Sequence, residues 1–109
     1  KNIPKVITNQ NEELIYISRA VIPSSKKEIL DPKMIYKKQV CIYSYFRKDL
    51  QEFLAFGKKS YLEASEDIEI LRFLEFGRNI KMFKTSTSSL AVDVPSDVIK
   101  VEEVLKNYL

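Results

Sequence analysis

The chain has 109 residues and a formal net charge of +3, with 45% hydrophobic and 30% charged residues. This balance is typical of one folded domain or part of one, and it excludes a disordered chain. No apolar run approaches the roughly 20 residues that span a bilayer, and no signal peptide is visible. With one cysteine, Cys41, and no histidine, an internal disulfide, a Cys/His metal site and a histidine-based triad are excluded. We expect a reducing, cytoplasmic setting.

The charge is uneven along the chain. Residues 1–48 carry ten Lys/Arg and four Asp/Glu, a net +6, whereas residues 49–109 carry eight and eleven, a net −3. A basic first half is compatible with contact to phosphates or nucleic acid. Solvated lysines in loops are the commoner cause of such a pattern.

The first half of the chain is predicted to form strands joined by loops. Residues 4–8 and 14–22 predict two strands, separated by a turn rich in Asn and Glu at 9–13. A long polar loop follows over 23–38, and loops of this length inside compact domains are often functional. Residues 39–46, QVCIYSYF, are apolar on both faces and predict a strand buried in a sheet.

The second half changes to a helical period. Residues 47–57 predict a short helix that ends at a glycine, and residues 60–77 predict one longer helix. A strand is predicted over 79–85, and a terminal amphipathic helix over 95–109 with its valines and a leucine facing inward. Strands that alternate with helices indicate an α/β fold with a partly parallel sheet.

Asp93 lies in an apolar run, VDVP, directly before the last predicted helix. Pro95 suits the first helical position, whereas Val94 would be a poor N-cap. The local sequence leaves two roles open for Asp93. It either caps the helix, or it binds a hard metal ion at a strand-to-helix junction, where α/β proteins place their ligands.

Four blocks of the sequence resemble one enzyme family, although no glycine-rich loop of the dinucleotide or Walker kind is present. In chain order the blocks are LIYISRAVIP, KKQVCIYSYFRKDLQEF, SYLEASEDIEILRFLEFG and LAVDVPSDVIKVEEVL. They are similar to the C-terminal part of the CMP-sugar-acid synthetases, most closely the 3-deoxy-manno-octulosonate cytidylyltransferases (CMP-Kdo synthetases), to which the acylneuraminate cytidylyltransferases are related. The resemblance implies an α/β fold, the C-terminal portion of a Rossmann-like nucleotidyltransferase, in which helices flank a mixed sheet.

The same resemblance implies a reaction. Enzymes of this family transfer CMP from CTP to a 2-keto-3-deoxy sugar acid and release pyrophosphate. The resemblance also implies Mg²⁺ as the cofactor, a homodimer, and a role in the synthesis of bacterial surface glycans such as lipopolysaccharide or capsule. Neither a membrane nor a nucleic acid is expected as a partner.

Two blocks carry the expected basic and neutral site residues. YISRAVIP is similar to the family's YFSRxxIP, so Ser18 and Arg19 are expected to line the sugar-acid site. Arg19 is the expected catalytic cation for a carboxylate or phosphate, with a surface ion pair as the alternative. KQVCIYSY is similar to KHxGIYxY, so the hydroxyl of Tyr43 is expected at the sugar, with a buried core tyrosine as the alternative. Gln39 stands where those enzymes usually have histidine, which leaves the choice of sugar acid open.

The other two blocks carry the expected acids. SYLEASEDIE is similar to SxLExxExxE, which implies that Glu63 and Glu66 accept hydrogen bonds from sugar hydroxyls. Helix capping by Glu63 and solvation of Glu66 are the alternatives. VDVPSD is similar to VDTPED, whose first aspartate binds magnesium, so Asp93 is the expected metal ligand, with Val94 in place of the capping threonine. Asp97 is expected to be an acid of the first helical turn rather than a ligand.

The family's CTP-gripping loop and its further magnesium aspartate are not found in this sequence. Residues 1–109 are therefore interpreted as the C-terminal sugar-acid-binding and dimerisation part of a cytidylyltransferase, with the N-terminal CTP-binding half absent. The opening Lys1 in place of Met agrees with this interpretation. By itself this part is expected to be inactive. Two other classes stay open, a non-catalytic dimerisation or interaction module and, with less support, a small nucleic-acid-binding domain, which would lack an RNP-like block and a basic recognition helix.

Overall fold

Among the described residues, a three-stranded antiparallel sheet comes first and four helices follow it. The computed structural model describes residues 3–27, 32–86, 90 and 92–108. In the sheet the strands lie in the order β2-β1-β3. The elements are β1 Lys5–Thr8, β2 Leu14–Ser18, β3 Lys37–Lys38, α1 Arg47–Phe56, α2 Tyr61–Glu66, α3 Ile70–Glu75 and α4 Pro95–Lys106.

An Asn-centred turn connects β1 to β2. The side-chain oxygen of Asn9 accepts hydrogen bonds from the backbone amides of Asn11 and Glu13, both at 2.9 Å. Asparagine favours such turns because its short side chain replaces a backbone acceptor. The resulting register sets Lys5 opposite Ser18. The predicted strand at 4–8 is thus confirmed, and the strand predicted over 14–22 forms but ends at Ser18.

The hydrophobic core lies between this hairpin and the segment that contains α2 and α3. Burying apolar side chains from both layers supplies the main stabilising free energy of the domain. The buried apolar residues are Val6, Leu14, Ile17, Ile68, Ile70, Leu71 and Phe73.

Helix α1 forms as predicted and is held against α3. Gly57 ends it in the left-handed conformation, at φ 67°, where a side chain would be strained. The ring of Phe53 stacks on Phe73 with 5.0 Å between centroids. Arg78, which follows α3, forms an ion pair with Glu52 of α1. The helix predicted from the sequence is therefore present, and contacts with α3 and Arg78 hold it in place.

The single helix predicted over 60–77 is wrong, because the chain breaks between α2 and α3. Asp67 ends α2 in the left-handed conformation at φ 54°. Arg19 donates hydrogen bonds to the carbonyls of Glu66 and Asp67, at 2.7 and 3.0 Å. A distant side chain therefore occupies carbonyls that a continuous helix would have bonded internally.

Two predicted strands are also wrong within the described part of the chain. Residues 39–46 are irregular, with Ile42 84% and Phe46 82% exposed, so the buried-strand prediction fails. Residues 79–85 form only an isolated bridge, in which the amide of Leu14 donates to the carbonyl of Ile80 at 2.8 Å. Strand-like composition does not form a strand unless another strand pairs with it, and pairing is a non-local property.

The last helix, α4, forms as predicted, but its apolar face is not buried. Val98, Val104 and Leu105 are 43%, 40% and 53% exposed, so the inward orientation predicted for them is wrong. The helix itself is explained by local signals, a proline at its first position and an acid in its first turn. Packing of α4 against the other described elements is slight.

Parts of two predicted elements lie outside the described residues. They are positions 28–31 of the predicted loop over 23–38, which otherwise contains β3, and Leu109 at the end of the last predicted helix. Among the described residues no helix combines the length and apolar character that a transmembrane span requires.

A buried ion pair joins α2 to α3. The carboxylate of Glu63, which is 1% exposed, accepts from Nε and Nη2 of Arg72 at 2.6 and 2.8 Å. The backbone amide of Ser60 also donates to it at 3.0 Å, which completes the cap of α2. The Arg72 hydrogen bonds are the main cause that lowers the pKa of Glu63, so the carboxylate stays ionised within the core.

Replacing Arg72 with leucine should destabilise the domain strongly, because Glu63 would be left buried without its cation. We expect the free energy of unfolding in urea at neutral pH to fall by about 3–5 kcal/mol. The double variant Arg72→Leu, Glu63→Leu should recover most of this loss. Lys59→Met, which removes an exposed ion pair with Asp67, is the matched control and should change little. Equal losses of unfolding free energy in Arg72→Leu and Lys59→Met would contradict a structural role for the buried pair.

Candidate functional site

Three hydrogen bonds gather around the side chain of Glu66, where β2 ends. The hydroxyl of Ser18 donates to Oε1 at 2.6 Å, and the hydroxyl of Tyr16 donates to the same oxygen at 3.2 Å. The backbone amide of Arg19 donates to Oε2 at 2.9 Å. The structure thus brings together Ser18, Arg19 and Glu66, which lie in two separate blocks of the sequence.

The alternation of side chains along β2 places Tyr16 in this cluster. Side chains two apart on a strand point to the same face, so Tyr16 accompanies Ser18. Sequence reasoning missed Tyr16, although its spacing from Ser18 was a usable signal. Ser18 itself is 2% exposed, so its hydroxyl serves Glu66 and the amide of Ala20 rather than solvent.

The surroundings of Glu66 favour the ionised form of its side chain. The Ser18 hydroxyl is the largest cause that lowers the pKa of Glu66, followed by the Arg19 amide, while partial burial opposes the shift. Hydrogen bonds to a carboxylate favour its charged form. Glu66 is therefore a fixed acceptor rather than a proton donor, and both of its oxygens already have partners within the chain.

The guanidinium of Arg19 lies against the end of α2. Nε and Nη2 donate to the carbonyls of Glu66 and Asp67. Among the described residues, no acidic side chain forms an ion pair with Arg19. In the same residues, no acceptor is hydrogen-bonded to its Nη1. Arg19 is exposed, so Nη1 is a nitrogen that an anionic ligand can reach while the other two hold the side chain in place.

Gln39 lies at the same end of the sheet as Arg19. Its backbone amide donates to the carbonyl of Pro4 at 3.1 Å. Lys5 is opposite Ser18 on one side and Lys38 on the other, so Arg19 and Gln39 flank Pro4. Two strand spacings separate such positions by about 10 Å.

Tyr43 follows in the irregular segment 39–46 and is 41% exposed, so it is not a buried core tyrosine. Partial burial is the main cause that raises the pKa of Tyr43, and the neighbouring Cys41 adds to it. The hydroxyl is therefore protonated at neutral pH and is able to donate or accept a hydrogen bond.

Glu63 faces away from this cluster, towards Arg72. Both of its oxygens are engaged within the protein, and the capping alternative is the one the structure describes. A contact between Glu63 and a sugar hydroxyl stays a prediction.

Asp93 lies two residues before the start of α4 and is exposed. The amides of Asp93 and Val94 donate to Oδ2 of Asp97 at 3.1 and 3.2 Å. These bonds lower the pKa of Asp97 and place it as the acid of the first helical turn. Across residues 3–27, 32–86, 90 and 92–108, no three Asp, Glu, His or Cys side chains form a cluster that could hold a metal ion.

Comparisons with known proteins show what this chain is similar to. No family model matches the chain. The 3-deoxy-manno-octulosonate cytidylyltransferase of Bacteroides thetaiotaomicron is 37% identical over 109 residues, covering 97% of this chain and 43% of that protein. The enzyme of the same name from Flavobacterium johnsoniae is 35% identical over 106 residues, covering 97% of this chain and 42% of that protein. A solved structure of CMP:2-keto-3-deoxy-manno-octonic acid synthetase complexed with CTP matches with a TM-score of 0.87 and 32% identity, over 98% of this chain and 43% of that one.

By sequence and by structure, the chain matches the C-terminal part of the CMP-Kdo synthetases. This confirms the resemblance seen in the four sequence blocks, and it confirms the α/β nucleotidyltransferase fold, although the pairings between the named strands are antiparallel. The chain spans less than half the length of the CMP-Kdo synthetases that it matches. The roles of the individual site residues stay predictions.

Glu66→Gln should change how stability depends on pH. Because the folded-state pKa of Glu66 is lowered from its ordinary value of 4.5, its contribution to stability is present above that value and is lost as pH falls through the folded pKa. The variant should be less stable at neutral pH and lose less stability between about pH 5 and about pH 3. Urea titrations across this range measure both effects. Glu103→Gln, at an exposed position of α4, should keep the wild-type pH dependence. Parallel wild-type and Glu66→Gln curves would show that the cluster does not stabilise the fold.

Proposed function

We propose that the longer protein to which this chain belongs transfers CMP from CTP to a 2-keto-3-deoxy sugar acid and releases pyrophosphate. The supporting observation is the match to CMP-Kdo synthetases over 97–98% of this chain, in sequence and in structure. In this reaction the anomeric hydroxyl of the sugar attacks the α-phosphorus of CTP, and the bond to the pyrophosphate oxygen breaks.

The chain's own contribution is to bind and orient the sugar acid. Nη1 of Arg19 and the side-chain amide of Gln39 supply a cation and a neutral hydrogen-bonding group near one end of the sheet, and the hydroxyl of Tyr43 would supply a second neutral group. A planar guanidinium suits the sugar carboxylate or a phosphate oxygen. Glu66 would act mainly by fixing Arg19 and Ser18, since its oxygens are engaged. The proposal also includes hydrogen bonds from sugar hydroxyls to Glu63 and Glu66.

Asp93 would supply a carboxylate to Mg²⁺. Mg²⁺ usually binds one or two protein carboxylates together with substrate phosphates and water, so an exposed aspartate fits that donor set. When bound, Mg²⁺ neutralises charge that develops on the phosphate oxygens. The remaining ligands would come from CTP and from parts of the protein beyond this chain.

A second candidate function is dimerisation, with or without catalysis. The half-exposed apolar face of α4 favours it, because contiguous apolar surface usually marks a contact with another protein surface. A homodimer, a cytoplasmic setting and a role in surface-glycan synthesis complete the proposal. Sedimentation equilibrium of the purified chain tests dimerisation, and a monomer at high concentration would argue against it.

Catalysis should require more than residues 1–109. The purified chain is expected to release no pyrophosphate from CTP and a 2-keto-3-deoxy sugar acid. A chimera, in which this chain replaces the matching part of the Flavobacterium johnsoniae enzyme, should release pyrophosphate and form the CMP-sugar acid. Turnover by the isolated chain would refute the interpretation that it is incomplete. A chimera that is folded and binds CTP, yet is inactive with every sugar acid tried, would refute the proposed function.

Asp93→Asn should separate metal binding from helix capping in the same chimera. Asparagine caps a helix as well as aspartate does, so a capping residue would tolerate the change. A magnesium ligand would not, and turnover should fall by about a hundredfold or more with little change in melting temperature. Glu102→Gln, at an exposed acid within α4, is the control and should keep its activity. Near-normal turnover of Asp93→Asn at limiting magnesium would exclude the metal role.

A further inference from the structure

The side chain of Tyr43 lacks support from a regular backbone. Residues 39–46 form no strand, and the segment leaves the sheet after Gln39 binds Pro4. A side chain that recognises a ligand has to be held within about 0.5 Å of its binding position. The support for Tyr43 must therefore come from neighbouring side chains.

A row of aromatic rings connects Tyr43 to the core. The ring of Tyr43 is 6.0 Å from that of Tyr45, at a tilt of 35°. The ring of Tyr45 stacks on Phe73 at 5.0 Å, and Phe73 stacks on Phe53 at the same distance. Phe73 is 5% exposed, whereas Tyr45 and Tyr43 are 38% and 41% exposed. The row thus runs from the hydrophobic core to the surface.

Arg72 restrains the end of the row that lies against the core. Cζ of Arg72 lies 3.7 Å from the centre of the Phe53 ring, and Nη1 of Arg72 donates to the carbonyl of Phe53 at 3.2 Å. Two further hydrogen bonds hold Arg72 to the buried carboxylate of Glu63. A cation on an aromatic face and a bidentate ion pair both restrict rotation, so Phe53 and Phe73 form a fixed base.

We propose that Tyr45 is a positioning residue for the sugar-acid site, which holds the ring of Tyr43 against the Phe73 base so that its hydroxyl meets the sugar. The inference deepens the proposed function and rests on it. Tyr45 needs its ring for this role and not its hydroxyl, because its contacts to both neighbours are between rings. Burial is the main cause that raises the pKa of both tyrosines, and the charge of Glu69 adds to it.

Steady-state kinetics of the chimera test the inference, with the sugar acid and CTP varied separately. Tyr45→Ala should raise KM for the sugar acid roughly tenfold, the scale of an aromatic contact, and leave KM for CTP unchanged. Tyr45→Phe should restore the wild-type KM. Tyr43→Phe should cost much less in the Tyr45→Ala background than in the wild type, because the two residues act as a unit. Tyr61→Ala, at an 81% exposed aromatic outside the row, is the matched control.

Three outcomes would overturn the positioning role while leaving the proposed function intact. They are an unchanged sugar KM in Tyr45→Ala, an equal rise in KM for both substrates, and a Tyr45→Phe variant that fails to restore binding. A chimera inactive in its wild-type form would instead contradict the proposed function.

Fluorine NMR of the 109-residue chain tests the inference without catalysis. With 3-fluorotyrosine incorporated, the resonance of Tyr43 is identified by its loss in Tyr43→Phe. In Tyr45→Ala it should move towards the position of free 3-fluorotyrosine, and in Tyr45→Phe it should stay close to its wild-type position. A Tyr43 resonance that does not move in Tyr45→Ala would show that Tyr45 does not hold that ring.

Discussion

The hydrogen bonds from Arg19 to the end of α2 are the contact on which the rest of this structure depends. They stop α2 at Glu66, so the chain turns through Asp67 before α3 begins. The turn allows α3 to lie back against α2, with Arg72 facing Glu63. The same placement of α3 puts Phe73 beneath Tyr45. The side chain of Arg19, the residue after β2, thus helps to place both the buried ion pair and the base of the aromatic row.

The elements that could be predicted from the sequence are those with local causes. A glycine in the left-handed conformation ends α1, and a proline and an acid begin α4, and each of these signals lies within one turn of the feature it determines. The break at Asp67 could not be predicted in this way. Its cause is Arg19, 48 residues away in the sequence, which occupies the carbonyl that a continuous helix would use. The strand prediction for residues 39–46 is wrong for a related reason. The composition of a segment does not show whether another strand is available to pair with it.

The site was partly predictable, and only through resemblance. The four blocks indicated Ser18, Arg19 and Glu66, and the structure adds that these residues contact one another. They could not show that Glu63 turns towards Arg72 while Glu66, three residues later, turns towards Ser18. Residues that act by supporting others, such as Tyr16 and Arg72, carry no chemical motif. They become visible only when side-chain distances are known.

The two outer edges of the small sheet are protected in different ways. On one side, residues 80–82 run alongside the start of β2. The amide of Leu14 donates to the carbonyl of Ile80, and the amide of Met82 donates to the carbonyl of Glu12. On the other side, β3 is only two residues long, and both of them are exposed lysines. Short, positively charged edges resist the pairing of strands between molecules, which is the first step towards fibrillar aggregation. Extension of the sheet by a strand from another molecule is thereby disfavoured at both edges.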